Sequence, residues 1–386
     1  MKIRFDRNEV AGAFGDIGTD FPLIVGMILA GGLDSASVLI MFGVMQLFSG
    51  FVYRMPMPVQ PLKAMAAIVI TQQLGGNVLY GGGLAIGVIM LFLHLTRLID
   101  WLARVVPKAV IRGIQFGLGM KLALLALQDY AAAEGTGGYL LASVAFFIAV
   151  LLLGNRKYPP AILIIGLGIA YAFAFKVDGG AFSTAFGLSL PEFYTPEWSD
   201  VLTGFVLLTL PQIPLSLGNS ILATKQIAED LFPERGVTVR KITATYSIMN
   251  LVNPFFSGIP TCHGSGGMVG HYTFGGRTGG SVVLYGLFYL VFGLFLSRGF
   301  DTIVHIFPLP VLGILLLFEG LGLMVLVRDQ VQPKADLVIA LLVGVIAGGV
   351  RYGFVIGLLA GTLLFYMKEK GWTGIRNDDS GAGLAG

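Results

Sequence analysis

Charge is scarce in this chain of 386 residues. Asp, Glu, Lys and Arg make up 12% of it, roughly half the share of an ordinary soluble domain, whereas 55% of the residues are hydrophobic and the mean hydropathy is +0.82. So few charges cannot coat a water-facing surface, which excludes a soluble enzyme. The formal net charge of +3 is spread thinly and supplies no basic stripe for a phosphate backbone, so a nucleic-acid partner is excluded as well. Cysteine is scarcer still. With Cys262 alone, neither an internal disulfide framework nor a zinc site built on several thiolates can form. What is abundant is apolar sequence, broken at intervals by glycine and proline.

A helix that crosses a bilayer needs about 20 mostly apolar residues. Divided at charges, Pro/Gly clusters and polar runs, the chain yields fourteen such segments, at 9–30, 34–52, 58–73, 80–98, 106–127, 138–154, 160–176, 200–222, 238–253, 262–274, 280–298, 306–327, 334–349 and 352–368. Cytoplasmic loops collect Lys and Arg. With both termini inside, nineteen of these residues fall at cytoplasmic ends and three outside, at Lys176, Arg298 and Arg351. An error of one span would move every later loop to the other side, so this asymmetry supports fourteen. Met1 to Val10 is charged and no cleavage pattern follows it, so the first span is expected to stay in the mature protein. Residues 371–386 are expected to form a flexible tail too short for a folded domain, leaving 1–386 as a single membrane domain.

An odd number of spans per half makes an internal repeat inverted in the membrane, as in many transporters. Seven plus seven does this. The fifth span opens V-P-K-A-V-I-R-G-I from Val106 and the twelfth F-P-L-P-V-L-G-I from Phe307; the third and tenth pair at nearly the same offset through Pro58 and Pro260. Residues 177–199 lie where the halves would join and read as an external linker.

The third segment, R-M-P-M-P-V-Q-P-L-K-A-M-A-A from Arg54, carries Pro56, Pro58 and Pro61. Proline inside a helix removes hydrogen bonds but suits a first turn. The pattern predicts an extended lead-in to Pro58 and a helix starting near Val59 or Gln60. Its counterpart, F-F-S-G-I-P-T-C-H-G-S-G-G-M-V-G-H from Phe255, places Pro260 before a small polar turn, Thr261 to Gly267, and a short helix. Interrupted backbone at membrane depth is tolerated where protein or a water-filled cavity satisfies it, and a helix N-terminus attracts anions. Two half-helices meeting near the midplane would aim both positive ends into one cavity, so the implied ligand is an anion. Lys63 either adds a full positive charge there or pairs with Asp16 or Asp20.

Acids within a span are costly and default to function. Asp16 and Asp20, four apart in G-A-F-G-D-I-G-T-D-F-P, share a helical face; Asp16 is either a proton or cation group or the cap of a broken helix. Glu319 in the twelfth span is a third candidate. Gln212, Ser216, Asn219 and Ser220 of the eighth span either line the cavity or join helices. His263 and His271 flank the tenth half-helix, and His263 is the better candidate. Gly344/Gly348 and Gly353/Gly357/Gly361 are spaced for close helix packing. The run H-G-S-G-G is no hydrolase elbow, because no glycine stands two before Ser265.

At G-D-I-G-T (Gly15 to Thr19), P-V-Q-P-L-K (Pro58 to Lys63), G-N-S-I-L-A-T (Gly218 to Thr224) and G-I-P-T-C-H-G-S-G-G-M-V-G-H-Y-T-F-G-G-R-T-G (Gly258 to Gly279), the chain resembles the molybdate transporter family, a branch of the sulfate permease superfamily without the cytoplasmic regulatory domain. The resemblance implies an all-α polytopic protein of fourteen spans as a 7+7 inverted repeat, with half-helices at spans 3 and 10. It also implies a core (9–98 and 200–298) and a gate (106–176 and 306–368), with substrate held between the half-helices. Nucleobase permeases are similar in architecture, but their carboxylate positions fall near Gln212 and His263. The expected substrate contacts are Gly15, Thr19, Val59, Gln60, Lys63, Gln212, Asn219, His263, Gly264, Ser265 and Gly266, with Asp16, His263 and Glu319 for proton coupling. The expected function is secondary active transport of a tetrahedral oxyanion, molybdate first and sulfate or tungstate next, by an elevator motion coupled to protons. The alternatives are a transporter of sulfate or another anion, a passive anion channel, and a structural or sensor membrane protein that binds the anion without flux. No cofactor or metal is expected; the expected partners are the anion, the lipid bilayer and a second copy across the gate. The expected location is the plasma membrane of a prokaryote, with many spans and both termini inside.

Overall fold

The computed structural model describes residues 2–99, 105–154, 160–176 and 186–373. A short helix, α1 (Arg7–Ala13), starts where the Asp6 side chain accepts from the amides of Asn8 and Glu9, and bends by 40° into α2 (Ile17–Gly31). Asp34 caps α3 (Ser35–Tyr53). Pro56 and Pro58 cannot continue a helix, and the chain runs extended through β1 (Val59–Pro61) before α4 (Lys63–Gln72) and α5 (Gly76–Thr96). There follow α6 (Lys108–Leu125, prolonged by a π turn to Tyr130), α7 (Gly135–Leu151) and α8 (Pro160–Phe175).

The second half begins with an extended strap, in which the amides of Gly187, Ser189 and Tyr194 donate to the carbonyls of Phe295, Leu294 and Phe255. One long helix, α9 (Trp198–Leu231), comes next. Pro211 and Pro214 deprive it of two donors, and it widens into π turns at Phe205–Thr209 and Ser216–Ala223 on either side. Then come α10 (Val239–Val252), β2 (Thr261–His263), α11 (Ser265–Thr273), α12 (Gly280–Phe295), α13 (Ser297–Ile306), α14 (Leu309–Val325, with a 3-10 turn to Gln330), α15 (Lys334–Gly349) and α16 (Gly353–Glu369).

Each of the fourteen apolar segments carries helix. Among the described residues, by length and composition five helices suffice to cross a membrane, or up to seven when the bent pairs α1–α2 and α12–α13 each count as one. Three departures from the sequence reading matter. The helix of the third segment begins at Lys63, not at Val59 or Gln60, because residues 59–61 find strand partners. The architecture is therefore helical with one two-stranded ribbon rather than purely α. Residues 297–306, expected as a span end and loop, form α13, turned 93° from α12. Residues 177–185 of the expected linker, 374–386 of the expected tail, and Arg104, Arg156 and Lys157 lie outside the described residues.

Helices pack in two groups. α3 lies along α12, and α5 against α9 and α10; separately, α6 packs on α14 and α15, and α15 on α16. Glycines set both contacts. A Cβ on Gly43 would stand 2.8 Å from the Gly286 carbonyl oxygen, and one on Gly113 2.5 Å from that of Ala340, so small residues let these backbones touch. Leu140, Phe147, Leu151 and Leu359 are exposed, the surface a lipid-facing helix presents. The groups meet where α4 touches α6 and α2 touches α14, and the site lies at that seam.

Candidate functional site

The two interrupted segments pair. β1 and β2 run antiparallel with Val59 opposite His263, Gln60 opposite Cys262 and Pro61 opposite Thr261. The ribbon is extended by the Leu62 amide donating to the Pro260 carbonyl (3.0 Å) and the Gly264 amide to that of Pro58 (3.4 Å). A ribbon this short leaves two open edges, which cannot be left bare away from water. One side-chain amide closes each. Gln46 of α3 accepts from the Val59 amide (2.9 Å) and donates to its carbonyl (2.7 Å). Asn250 of α10 does the same for Thr261, at 2.9 and 2.6 Å. Ser49 also donates to the Met57 carbonyl.

Because side chains alternate along a strand, opposed pairs divide between two faces. Gln60 and Cys262 face a cavity of about 260 Å³, several times one water's share of ~30 Å³. Val59 and His263 face the other way. His263 is among the lining residues, but its ring is buried, Nε2 2.7 Å from Thr245 Oγ1 and Nδ1 3.5 Å from Ser49 Oγ, edge-on to Tyr53. Among the described residues no carboxylate bonds to that ring.

Both short helices begin at the ribbon with their N-termini toward the cavity. In α4 the amides of Ala64 and Met65 donate to Gln212 Oε1, at 2.9 and 3.2 Å. The orientation of Gln212 is set by its amide nitrogen, which donates to Ser216, whose hydroxyl in turn meets Tyr246. In α11 the amides of Ser265 and Gly266 have no protein partner among the described residues. Gly266 is exposed to the cavity and nothing stands within 4 Å of where its Cβ would be. The next residue is crowded: a Cβ on Gly267 would strike the Asp16 carboxylate. Asp16 therefore sits against the positive end of α11, and both its oxygens accept from Gln60 Nε2, at 2.7 and 2.6 Å.

The far wall comes from α14. Glu319 Oε1 lies 2.7 Å from Lys63 Nζ across the cavity. Gly322, Leu323 and Leu326 continue that wall toward the end of α14 where Asp329 holds Lys108 and Arg112. From α9, Gln212, Leu215, Asn219 and Ser220 complete it.

Of the residues expected from sequence, the structure gathers Gln60, Lys63, Gln212, Asn219, His263, Gly264, Ser265, Gly266 and Glu319 around this one cavity. Asp16 reaches it through Gln60. Gly15 is elsewhere, packed on the backbone of Gly270; Thr19 is half-buried outside the lining and Val59 faces Gln46. Sequence reasoning missed Cys262 as a lining residue, the α14 wall beyond Glu319, and the two clamps. A polar Gln46 and Asn250 in otherwise apolar spans were the available signal. Among the described residues no group of His, Cys, Asp and Glu could hold a metal ion.

The chain matches the family described as "Molybdate transporter of MFS superfamily" over residues 8–122 and 204–323. It is 34% identical to Molybdate transporter 1 of Arabidopsis thaliana, over 94% of this chain and 89% of that one. The chain belongs to the molybdate transporter family. It is 29% identical to Molybdate transporter 2 of the same plant, over 92% of this chain and 87% of that one. The fold is shared with two solved transporters: the transmembrane domain of the cyanobacterial bicarbonate transporter BicA (TM-score 0.65, 18% identity, 91% of this chain and 99% of that one) and the murine anion transporter Slc26a9 in the inward-facing state (TM-score 0.69, 12% identity, 96% and 70%). This is a multi-pass membrane protein of a transporter family, not an enzyme.

Proposed function

We propose that the protein is a secondary active transporter of a tetrahedral oxyanion, molybdate before sulfate or tungstate. One observation carries this reading: unsatisfied amides at the start of α11 and the ammonium group of Lys63 converge on one small cavity at a break in two membrane segments. A bare helix end binds an anion without needing a charged side chain. The names of its relatives favour molybdate.

Proton coupling follows from energetics. Carrying a dianion into an interior about 100 mV negative costs about 4.6 kcal/mol at roughly 2.3 per charge, so import needs at least two protons in compensation. Asp16 and Glu319 stand in or beside the cavity as acceptors; His263, whose ring is buried, is the third candidate. Fourteen spans in a 7+7 inverted repeat fit the helices present. Gln60 and Cys262, which pair at the centre of the antiparallel ribbon, stand at the offset that separates Pro58 from Pro260, as residues on a two-fold axis would. The group built on α3, α5, α9 and α12 would be the moving core and that on α6, α14, α15 and α16 the gate, meeting a second copy.

Radiolabelled molybdate uptake into proteoliposomes tests the reading. Saturable uptake, accelerated by external acid and reduced by sulfate, is the expected result. Large unsaturable anion currents would instead favour a channel, and no flux would end the proposal.

A further inference from the structure

We propose that Glu319 is a built-in competitor for the transported anion: with the site empty its carboxylate occupies Lys63, and a proton on Glu319 releases the ammonium group to the incoming oxyanion. The proposal rests on the oxyanion reading and names how that site is regulated.

The geometry is specific. Lys63 begins α4 and Glu319 lies midway along α14, so the 2.7 Å pair bridges the two helix groups. Both side chains line the cavity, and they keep 28% and 11% of their exposure, so the pair faces ligand space rather than closed packing. Among the described residues neither partner makes a second ion-pair contact. Lys63 is the only Lys or Arg lining the cavity among the described residues. On the helices around α14, Lys108 and Arg112 are held by Asp329, Lys121 lies over Phe354, and Lys176 is held by Glu134 with Tyr171 nearby. Of the other acids, Asp16 is bound by Gln60, and Asp20 accepts from Tyr285. The His263 ring meets the hydroxyl groups of Thr245 and Ser49, the Pro58 backbone and the Tyr53 ring. Asp129 and Tyr130 occupy the π turn after α6.

Charge then dictates order. An ionised Glu319 cancels the one cation lining the cavity, Lys63, so an entering dianion meets no free positive side chain and is repelled by that carboxylate. Protonating Glu319 removes this repulsion and frees the cation in the same event. It also cuts the ion pair that ties α4 to α14. Proton loading, anion binding and release of the helix groups are thereby linked, because the same ammonium group cannot serve both carboxylate and substrate fully.

The test is calorimetric titration of the purified full-length protein with molybdate and, separately, with sulfate, which stays a dianion from mildly acidic to mildly alkaline pH. Wild-type affinity is expected to rise as pH falls. Glu319→Gln should bind about tenfold tighter at neutral pH, the effect of removing one nearby like charge, and should lose most of the pH slope. Glu319→Asp, which keeps the charge, should retain the slope and guards against a folding artefact, as does an unchanged thermal midpoint. Intact binding by Glu319→Gln with wild-type affinity and wild-type slope would overturn the competitor while leaving the oxyanion reading standing. No binding of either anion by wild-type protein would overturn both.

Discussion

The two short helices that meet at the ribbon occupy matching places and leave opposite things for a ligand. In α4 the first-turn amides are already spent on Gln212, and the helix contributes charge through Lys63, itself held by Glu319. In α11 the first residues, Ser265 and Gly266, contribute no charge and keep their amides open, while Asp16 lies against the same turn. One half-helix thus brings a movable cation and the other a fixed set of dipoles. A site built this way can grip an anion by backbone and regulate the grip by side chain.

The comparison breaks most severely at its foundation. Gln46→Ala leaves the amide and carbonyl of Val59 buried and unpaired, at about 1–3 kcal/mol each; thermal unfolding in detergent should show a clear fall in midpoint, and an unchanged midpoint would mean that water replaces the clamp. Gly264→Ala is next. Its new Cβ would collide with the Gln60 side chain, and overpacking of this kind costs about 1–3 kcal/mol. Molybdate affinity should drop by tenfold or more, and the loss should be partly restored by adding Gln60→Ala.

Smaller changes sharpen the contrast between the two helix ends. Ser265→Pro places proline in the first turn, where helices accept it, and deletes one open amide. A hydrogen bond to a charged group is worth about 1.5–3 kcal/mol, so calorimetry should find binding weakened about tenfold to a hundredfold without a matching loss of stability. Ser265→Ala keeps the amide and removes only the hydroxyl; a change of no more than a few-fold is expected, at about 1 kcal/mol. If the two variants of Ser265 bind alike, the backbone is not what holds the anion.

Much of this was legible in the chain itself. Pro58 and Pro260 announced both interruptions, since proline cannot continue a helix, and polar residues stranded among apolar ones picked out most of the lining. Gly15 and Thr19 were expected at the site by their place in the G-D-I-G-T run, yet Gly15 packs on Gly270 and Thr19 lies outside the lining. Proximity in sequence to Asp16 does not settle which way a turn faces. His263 was drawn in by its type, but its strand position turns the ring to Thr245 and Ser49.

Composition and apolar run length by themselves determined that this is a helical membrane protein with two broken segments, because a bilayer admits few solutions for backbone polar groups. What only the tertiary structure decided is which donors are free and which side chains face each other. Strand parity turns Gln60 inward and Val59 outward, Gln212 silences one helix end, and Lys63 finds Glu319 from a helix far along the chain. Those outcomes depend on partners brought together by packing, and no local propensity encodes them.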